Sequence, residues 1–165
     1  MISKVTLLAF IALLAGAIGC SSQTSSAPKI SRAAEEDNIR EAMFRHLFTN
    51  NGSGIQQDAT VYFLALSNNQ SPSADFMKRF QTHNPPVKPV SESTIGKISE
   101  VLDKTTGKIG LRFRVEEIEW ISDKEVHAYG GYYAGNLSAS GGSYQLVFEN
   151  GLWIVKGHIG VHWIS

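Results

Sequence analysis

Two histidines near the end of the chain have the spacing of a metal-binding pair. His158 and His162 lie four residues apart, which places two imidazoles side by side if the segment is a helix. Residues 156–163 contain two glycines and β-branched residues, however, and this composition predicts a strand. In a regular strand, residues four apart are separated by about 13 Å, which is too far for one metal ion to bind both rings. A metal site would need a further ligand such as His127, so we expect no metal and no cofactor.

Two carboxylates suggest a second chemistry, general acid–base catalysis. Glu117 and Glu119 lie where the alternation of apolar and polar residues that begins at residue 109 changes phase. A β-bulge at residues 116–117 would explain this change. If the bulge turns either carboxylate into a pocket, that carboxylate becomes a candidate base, with His127 or a tyrosine as its partner. If the bulge leaves the carboxylates at the rim of the sheet, neither has a catalytic role.

A third group of residues combines glycine with tyrosine. Residues 130–135 have the sequence GGYYAG, and aromatic side chains are favoured in binding sites. The predicted surface for a ligand or partner consists of four tyrosines and one asparagine beside the loop 137–142: Tyr129, Tyr132, Tyr133, Asn136 and Tyr144. The alternative is structural, with glycines that allow the sheet to curve and tyrosines that cover a helix.

Other chemistries are excluded by what the sequence lacks. Its single Cys cannot form an intrachain disulfide or a cysteine zinc cluster. It contains no Gly-x-Ser-x-Gly motif, so a serine hydrolase of that type is not expected. The 15 basic and 15 acidic residues balance and form no long tract of like charge, so we expect no nucleic-acid partner.

The first 20 residues have the composition of a targeting signal. One lysine precedes a mostly apolar run over residues 5–18, which is shorter than the roughly 20 residues that span a bilayer. The only Cys follows in the sequence LAGAIGC, residues 14–20. This segment resembles the signal of bacterial lipoproteins, although Ala17 and Ile18 depart from its commonest pattern. The resemblance implies cleavage before Cys20 and lipidation of that residue, and the alternative is an ordinary secretory leader.

Three segments follow from this interpretation. We expect a signal peptide over residues 1–19, a disordered tether over 20–34 that carries the lipidated Cys20, and one α+β domain over 35–165. The tether is predicted from its polar, Ser-rich composition. Acyl chains on Cys20 would attach the protein to a membrane. Ser21 replaces the Asp that retains many lipoproteins in the inner membrane, so the resemblance implies the periplasmic face of the outer membrane in a Gram-negative host.

The first half of the folded domain is predicted to contain two helices. Residues 35–48 place apolar residues four apart and acidic residues in the first turn, which predicts an amphipathic helix. Residues 60–66 predict a buried strand, and residues 73–80 predict a short second helix. The proline-containing segment 87–90 predicts an edge strand or a covering arm.

The second half is predicted to be a meander of four antiparallel strands. Turn signals separate them at residues 122–124, 137–142 and 150–151, and the last is a two-residue Asn-Gly hairpin turn. The expected strands cover residues 109–120, 125–133, 144–149 and 152–163. Helices followed by a meander indicate an α+β fold in which the sheet curves over the first helix.

Together these elements resemble the NTF2-like superfamily. The resemblance is carried by the helix 35–48, the bulged strand ending at residues 118–120, and the closing hairpin QLVFENGLWIV at residues 145–155. It implies a cone-shaped α+β fold in which a strongly curved antiparallel sheet wraps the N-terminal helix, often with a pocket between them. The Pro-rich stretch 84–90 takes the place of the family's usual third helix, and a cystatin-like helix-on-sheet fold is the alternative.

The resemblance leaves several functions open. The superfamily includes isomerases, dehydratases and many non-catalytic members, so the fold alone does not decide function. We expect a small lipid-anchored envelope protein that acts as a non-catalytic binding or accessory domain for an envelope protein or a small apolar ligand. One alternative is a pocket enzyme of the isomerase, dehydratase or hydrolase type that uses Glu117 or Glu119. Another is an envelope inhibitor or immunity-type protein that neutralises a toxin or lytic enzyme.

Overall fold

The structure, a computed structural model, describes residues 31–52, 54, 58–135 and 138–164. The predicted signal peptide, Cys20 and most of the predicted tether lie outside the described residues. Within the described ranges, no helix is both long and apolar enough to cross a membrane.

The first element is an amphipathic helix, α1 (Arg32–Thr49), which confirms the predicted helix. It begins at Arg32 rather than at residue 35, so the last residues of the predicted tether are helical. Arg40 donates to the Glu36 carboxylate at 2.7 Å, an i,i+4 pair that supports the helix. The apolar residues on one side form a buried stripe with helical spacing: Ile39, Met43, Phe44, Leu47 and Phe48.

The strands of the described residues form one large sheet and one small hairpin. They are β1 (Val61–Ala65), β2 (Val87–Pro89), β3 (Ser93–Ile95), β4 (Val101–Asp103), β5 (Gly110–Ser122), β6 (Glu125–Gly135), β7 (Ser138–Glu149) and β8 (Leu152–Ile164). The large sheet has the order β2-β1-β5-β6-β7-β8, and β3 pairs with β4. The four long strands pair antiparallel in chain order, as the predicted meander requires.

The pairing of β1 departs from the expected antiparallel sheet. β1 is parallel to both of its neighbours, β2 and β5. Parallel neighbours need a long connection, and the chain between β1 and β5 is long enough to include β2, β3 and β4. The fold is therefore α+β, as predicted, with a sheet that is mostly rather than wholly antiparallel.

The start of β7 also departs from the prediction. Ser138 already lies in β7, so the predicted turn over residues 137–142 is wrong. Gly141 lies opposite Gly131 in β6, and the adjacent pair of glycines is in register as well. Glycine and serine favour turns in isolation, but these facing glycines leave space that neighbouring groups fill.

The predicted short helix and edge strand are both present. α2 (Ala74–Met77) continues into a 3₁₀ turn, Lys78–Phe80. The hydroxyl of Ser73 caps it by accepting a hydrogen bond from the Phe76 N–H at 3.1 Å. β2, the strand that contains Pro89, lies at one edge of the sheet, where a missing N–H donor is tolerated.

The two faces of the sheet have different neighbours. The inner face, which carries Leu111, Phe113 and Val115, is buried against α1, and these three side chains are 0% exposed. Alternate residues point to the outer face. There the β3–β4 hairpin covers one part of the sheet, and Phe63 packs against Val101 in a small second core.

An ion pair with a buried carboxylate fastens the hairpin to the edge of the sheet. Lys88 Nζ of β2 lies 2.7 Å from Asp103 Oδ2 of β4, whose side chain is 3% exposed. The other carboxylate oxygen accepts hydrogen bonds from the backbone N–H groups of Thr105 and Thr106 at 2.8 and 3.0 Å. The hydrogen bond from Lys88 lowers the pKa of Asp103 to about 2, and the same bond raises the pKa of Lys88.

We expect Asp103→Asn to lower the free energy of unfolding by about 1–3 kcal/mol in urea at neutral pH, because Lys88 loses its nearer, buried counter-charge and keeps only the more exposed Glu92 at 3.2 Å. The matched control is Asp75→Asn. It breaks a 2.6 Å ion pair between Asp75 and Lys78, in which the Asp75 side chain is 89% exposed. The control should cost less than about 0.5 kcal/mol. Because the pKa of Asp103 lies below its ordinary value of 3.8, its contribution is present above that pH and is lost as the pH falls towards 2. Equal effects of both substitutions at neutral pH would contradict this account.

Candidate functional site

The space between α1 and the inner face is filled with aromatic side chains. The ring centroid of Phe48 lies 4.9 Å from that of Phe113 and 5.1 Å from that of Tyr62. Phe44 lies 6.2 Å from Phe80 in an edge-on arrangement. All five residues are at most 5% exposed. This interior is a packed core, and the two grooves described below lie elsewhere.

The carboxylates predicted as candidate bases lie on the solvent side of the sheet. The predicted bulge at residues 116–117 is present, and Ile118 after it packs against the core. Glu117 is exposed, and the side chain of Glu119 is 75% exposed. His127 lies opposite Glu119 in β6, with Nδ1 3.9 Å from the carboxylate. This geometry forms a loose surface ion pair when His127 is protonated, which contributes little to stability.

The predicted tyrosine surface is divided between the two faces of the sheet. Tyr132 and Tyr144 pack into the core on the inner face and are 6% and 4% exposed. Tyr129 and Tyr133 belong to the outer face. Asn136 lies outside the described residues. Because successive strand residues point to opposite faces, these four side chains do not form one surface.

The two histidines of β8 are in contact, so the predicted separation is wrong. The ring centroids of His158 and His162 are 4.0 Å apart. One step along β7 corresponds here to three steps along β8, from Ile159 to His162, so β8 carries a bulge. Gly160 within it has a φ of 69°, a backbone conformation that glycine adopts without strain. The estimate of about 13 Å holds only for a regular strand, and the bulge folds the two rings together.

These histidines belong to an aromatic cluster at the end of α1. The Tyr144 ring lies 4.0 Å from His158 and 5.4 Å from His46. Ser140 Oγ lies 2.6 Å from His162 Nε2, and Ser140 is only 6% exposed. Burial lowers the pKa of His46, burial and the neighbouring histidines lower that of His158, and burial raises that of Tyr144 to about 12. Within the described ranges, no group of three His, Cys, Asp or Glu side chains could hold a metal ion.

An open groove, called here the outer groove, lies on the outer face beside the β3–β4 hairpin. Its volume is about 330 Å³, within the range of small-molecule sites. Two arginines from the middle of β5, Arg112 and Arg114, line it together with Glu116. The remaining lining is mostly apolar or aromatic, with one amide: Ala65, Leu66, Asn69, Ile95, Tyr132, Tyr133, Ala139 and Trp163. Tyr132 reaches this lining although it is only 6% exposed and otherwise belongs to the core.

Trp163 forms one wall of the outer groove because glycine leaves space beneath it. A Cβ on Gly141 would lie 3.0 Å from the indole ring. The indole N–H donates to the Tyr129 hydroxyl oxygen at 2.9 Å. The guanidinium of Arg114 lies 5.7 Å from the Trp163 ring centroid and 5.9 Å from that of Tyr129, within cation–π range. Side chains from β5, β6 and β8 thus contact one another and hold the Trp163 indole over Gly141.

A second groove, of about 500 Å³, lies between α1 and the β7–β8 hairpin. Its charged groups already have partners. Glu41 accepts hydrogen bonds from Arg79 at 2.8 Å and Arg45 at 2.9 Å, and although burial raises the pKa of Glu41, these bonds lower it overall. Glu35 accepts a hydrogen bond from the Trp153 indole at 2.8 Å. The outer groove therefore offers a ligand more charge without a counter-charge than the second groove does.

Of the residues that line the outer groove, sequence reasoning singled out Tyr132 and Tyr133 and missed Arg112, Arg114 and Trp163. A signal for two of them was present: Arg112 and Arg114 alternate with Leu111, Phe113 and Val115, so both had to lie on the face opposite the core. That alternation does not reveal which segment covers this face. The position of the β3–β4 hairpin depends on long-range pairing, which local patterns do not encode.

We expect Gly141→Ala to lower the free energy of unfolding by about 1–3 kcal/mol, since the added methyl group presses against the Trp163 indole. Gly54→Ala is the matched control, because a Cβ there meets nothing within 4 Å. The control should change stability by less than about 0.5 kcal/mol. Urea unfolding followed by circular dichroism measures both, and an unchanged stability of Gly141→Ala would show that the indole does not rest on this glycine.

The outer groove thus combines apolar walls, a fixed indole and two cations on one face of an α+β fold. Glu117 and Glu119, the carboxylates predicted as bases, are exposed and do not line this groove. No protein-family model, no curated protein and no solved structure matches this chain.

Proposed function

We propose that this chain is a small lipid-anchored envelope protein whose α+β domain binds a small apolar ligand in the outer groove without catalysing a reaction. The observation that carries the proposal is the Trp163 wall. Trp163 is 37% exposed, yet its indole is held by a hydrogen bond to Tyr129 and packed over Gly141. A partly exposed aromatic ring in a fixed position presents apolar area to a ligand at little entropic cost.

The lining of the outer groove supports binding rather than turnover. Glu116 is its one carboxylate among the described residues, and Oε1 of Glu116 lies 3.6 Å from Arg114 Nη1. This carboxylate is thus loosely paired with a guanidinium of the same groove. Apolar walls with a few polar groups are typical of sites that orient and hold a ligand.

The fold and the membrane anchor are further parts of the proposal. The packing of α1 on a mostly antiparallel sheet, together with the bulged β5, supports a variant of the NTF2-like fold. The parallel pairing of β1 with β5 departs from the antiparallel sheet expected for it. The segment 14–20, which resembles a lipoprotein signal, supports a lipid on Cys20 and a position on the periplasmic face of the outer membrane.

A protein partner is the second candidate, and β8 favours it. This strand is an edge of the sheet, where unpaired backbone groups can bind an added strand. Three of its apolar residues are largely exposed: Leu152 at 69%, Val161 at 85% and Ile164 at 74%. The bulge near Gly160 interrupts the strand and limits such pairing, so the outer groove remains the favoured site.

The neutral fluorophore N-phenyl-1-naphthylamine tests the proposed groove, because its emission rises in an apolar site. We expect saturable binding to the wild-type protein and a Kd at least about tenfold higher for Trp163→Ala, which removes the aromatic wall. Val161→Ala is the control on the same strand, since this side chain is 85% exposed and lies outside the lining of the groove. An unchanged Kd in Trp163→Ala, or no saturable binding to wild type, would reject the groove as the ligand site.

Cys20→Ser tests the membrane anchor. The wild-type protein should sediment with membranes and carry the mass of acyl chains, because lipid attachment requires the thiol. The variant should lose both properties, and Ser22→Ala should keep them. Fractionation followed by intact-mass spectrometry measures them together, and membrane-bound, acylated Cys20→Ser would refute the lipoprotein interpretation.

A further inference from the structure

One positive charge in the outer groove lacks a counter-charge. Among the described residues, no carboxylate lies within 4 Å of the Arg112 guanidinium, although Arg112 is half-buried on the outer face of β5. In the register of the sheet it lies between Phe63 of β1 and Tyr133 of β6, with an aromatic side chain on each side. A half-buried charge without a partner costs free energy that a bound anion would offset.

The Arg112 guanidinium is held in place from the β3–β4 hairpin. Its Nε–H donates to the Ser93 hydroxyl oxygen at 2.8 Å, and the Ser93 O–H donates to the Val90 carbonyl at 2.7 Å. Ser93 is 4% exposed, so this short chain of hydrogen bonds is shielded from water. The chain uses Nε and leaves Nη1 and Nη2 of Arg112 without an acceptor among the described residues. These two nitrogens form a fork that matches the two oxygens of a carboxylate.

The other charges of the outer groove offset each other. Arg114 Nη1 lies 3.6 Å from Glu116 Oε1, and the Arg114 guanidinium faces the rings of Tyr129 and Trp163. Burial lowers the pKa of Arg112, but a guanidinium stays charged at neutral pH. The lining of the groove therefore has a net charge of one positive unit, which a ligand with one negative charge balances.

We propose that the ligand of the outer groove is a monocarboxylate with a compact apolar body, whose carboxylate binds Arg112 and whose body packs against Trp163, Ala139 and Ile95. This inference rests on the proposed function and adds the chemical class of the ligand. The volume of about 330 Å³ admits a molecule the size of a fused pair of aromatic rings with a short substituent. A dianion would leave the groove negatively charged, and a neutral ligand would leave Arg112 unpaired.

A matched pair of probes isolates the effect of the ligand's negative charge on binding. 2-Naphthoate and 2-naphthylmethanol have the same ring system. The first carries a negatively charged carboxylate where the second carries a neutral alcohol. Isothermal titration of each probe into the purified protein should give a Kd for 2-naphthoate that is at least about tenfold lower, since a charge-assisted hydrogen-bonded pair forms only with the carboxylate. The preference should weaken as salt is added, because part of the pair is exposed to solvent.

Substitution of Arg112 assigns the preference to one residue. In Arg112→Gln the ratio of the two Kd values should fall to about one, because the charge and the fork are lost. Arg32→Gln removes the same charge outside the groove, at a side chain that is 59% exposed, and should keep the wild-type ratio. If Arg112→Gln does not fold, as judged by thermal melting, Arg112→Lys replaces it. Lysine keeps the charge without the planar fork, so the ratio should then fall severalfold.

The outcomes separate this inference from the proposed function. Equal Kd values for the two probes in wild type, or a full preference in folded Arg112→Gln or Arg112→Lys, would overturn the carboxylate assignment while the groove still binds ligand. If neither probe binds to either folded variant, Arg112 is a structural residue, and the carboxylate assignment is overturned as well. If neither probe nor N-phenyl-1-naphthylamine binds wild type, the proposed function fails, and the inference fails with it.

Discussion

The facing glycines of β6 and β7 are the constraint on which both faces of the sheet depend. On the inner face, a Cβ at Gly130 would lie 3.0 Å from Met43 of α1. On the outer face, a Cβ at Gly141 would lie 3.0 Å from the Trp163 indole, and one at Gly131 would overlap a carbonyl oxygen of β7. Because these positions carry no side chain, a helix approaches one face and an aromatic ring approaches the other. A glycine-rich segment that resembles a loop is therefore a closely packed part of the sheet.

The difference between the two faces explains where a ligand site can form. Aromatic side chains fill the inner face, so the space that many helix-on-sheet folds use as a pocket is here a core. The outer face is covered only in part, by the β3–β4 hairpin, which the pair of Lys88 and Asp103 fastens at the β2 edge. A hydrogen bond from Arg112 to Ser93 joins the same hairpin to the centre of the sheet. The hairpin thus holds one side of the outer groove, and Trp163 holds the other.

Local patterns predicted the elements that depend on local periodicity. The apolar stripe of α1, the bulge at residues 116–117, the edge position of β2 and the Asn-Gly hairpin turn all follow from residues close together in the chain. Prediction failed where a residue distant in the chain determines the local structure. The glycines of residues 138–142 form a strand because they face glycines of β6. The histidine spacing failed for the same reason, since the bulge in β8 appears only in its register with β7. The predicted surface grouped Tyr132 with Tyr133, although strand alternation points their side chains to opposite faces, and alternation does not reveal what covers each face.

The central claim is that the ligand binds on the outer face of the sheet. A crystal structure of the protein soaked with 2-naphthoate tests it most directly. The account predicts density for the naphthalene ring against Trp163 and Ala139, with both carboxylate oxygens within hydrogen-bond distance of Arg112. Density between α1 and the inner face, beside Tyr144 and His158, would contradict it. That result would require the aromatic core to open and would return the site to the pocket expected of an NTF2-like fold.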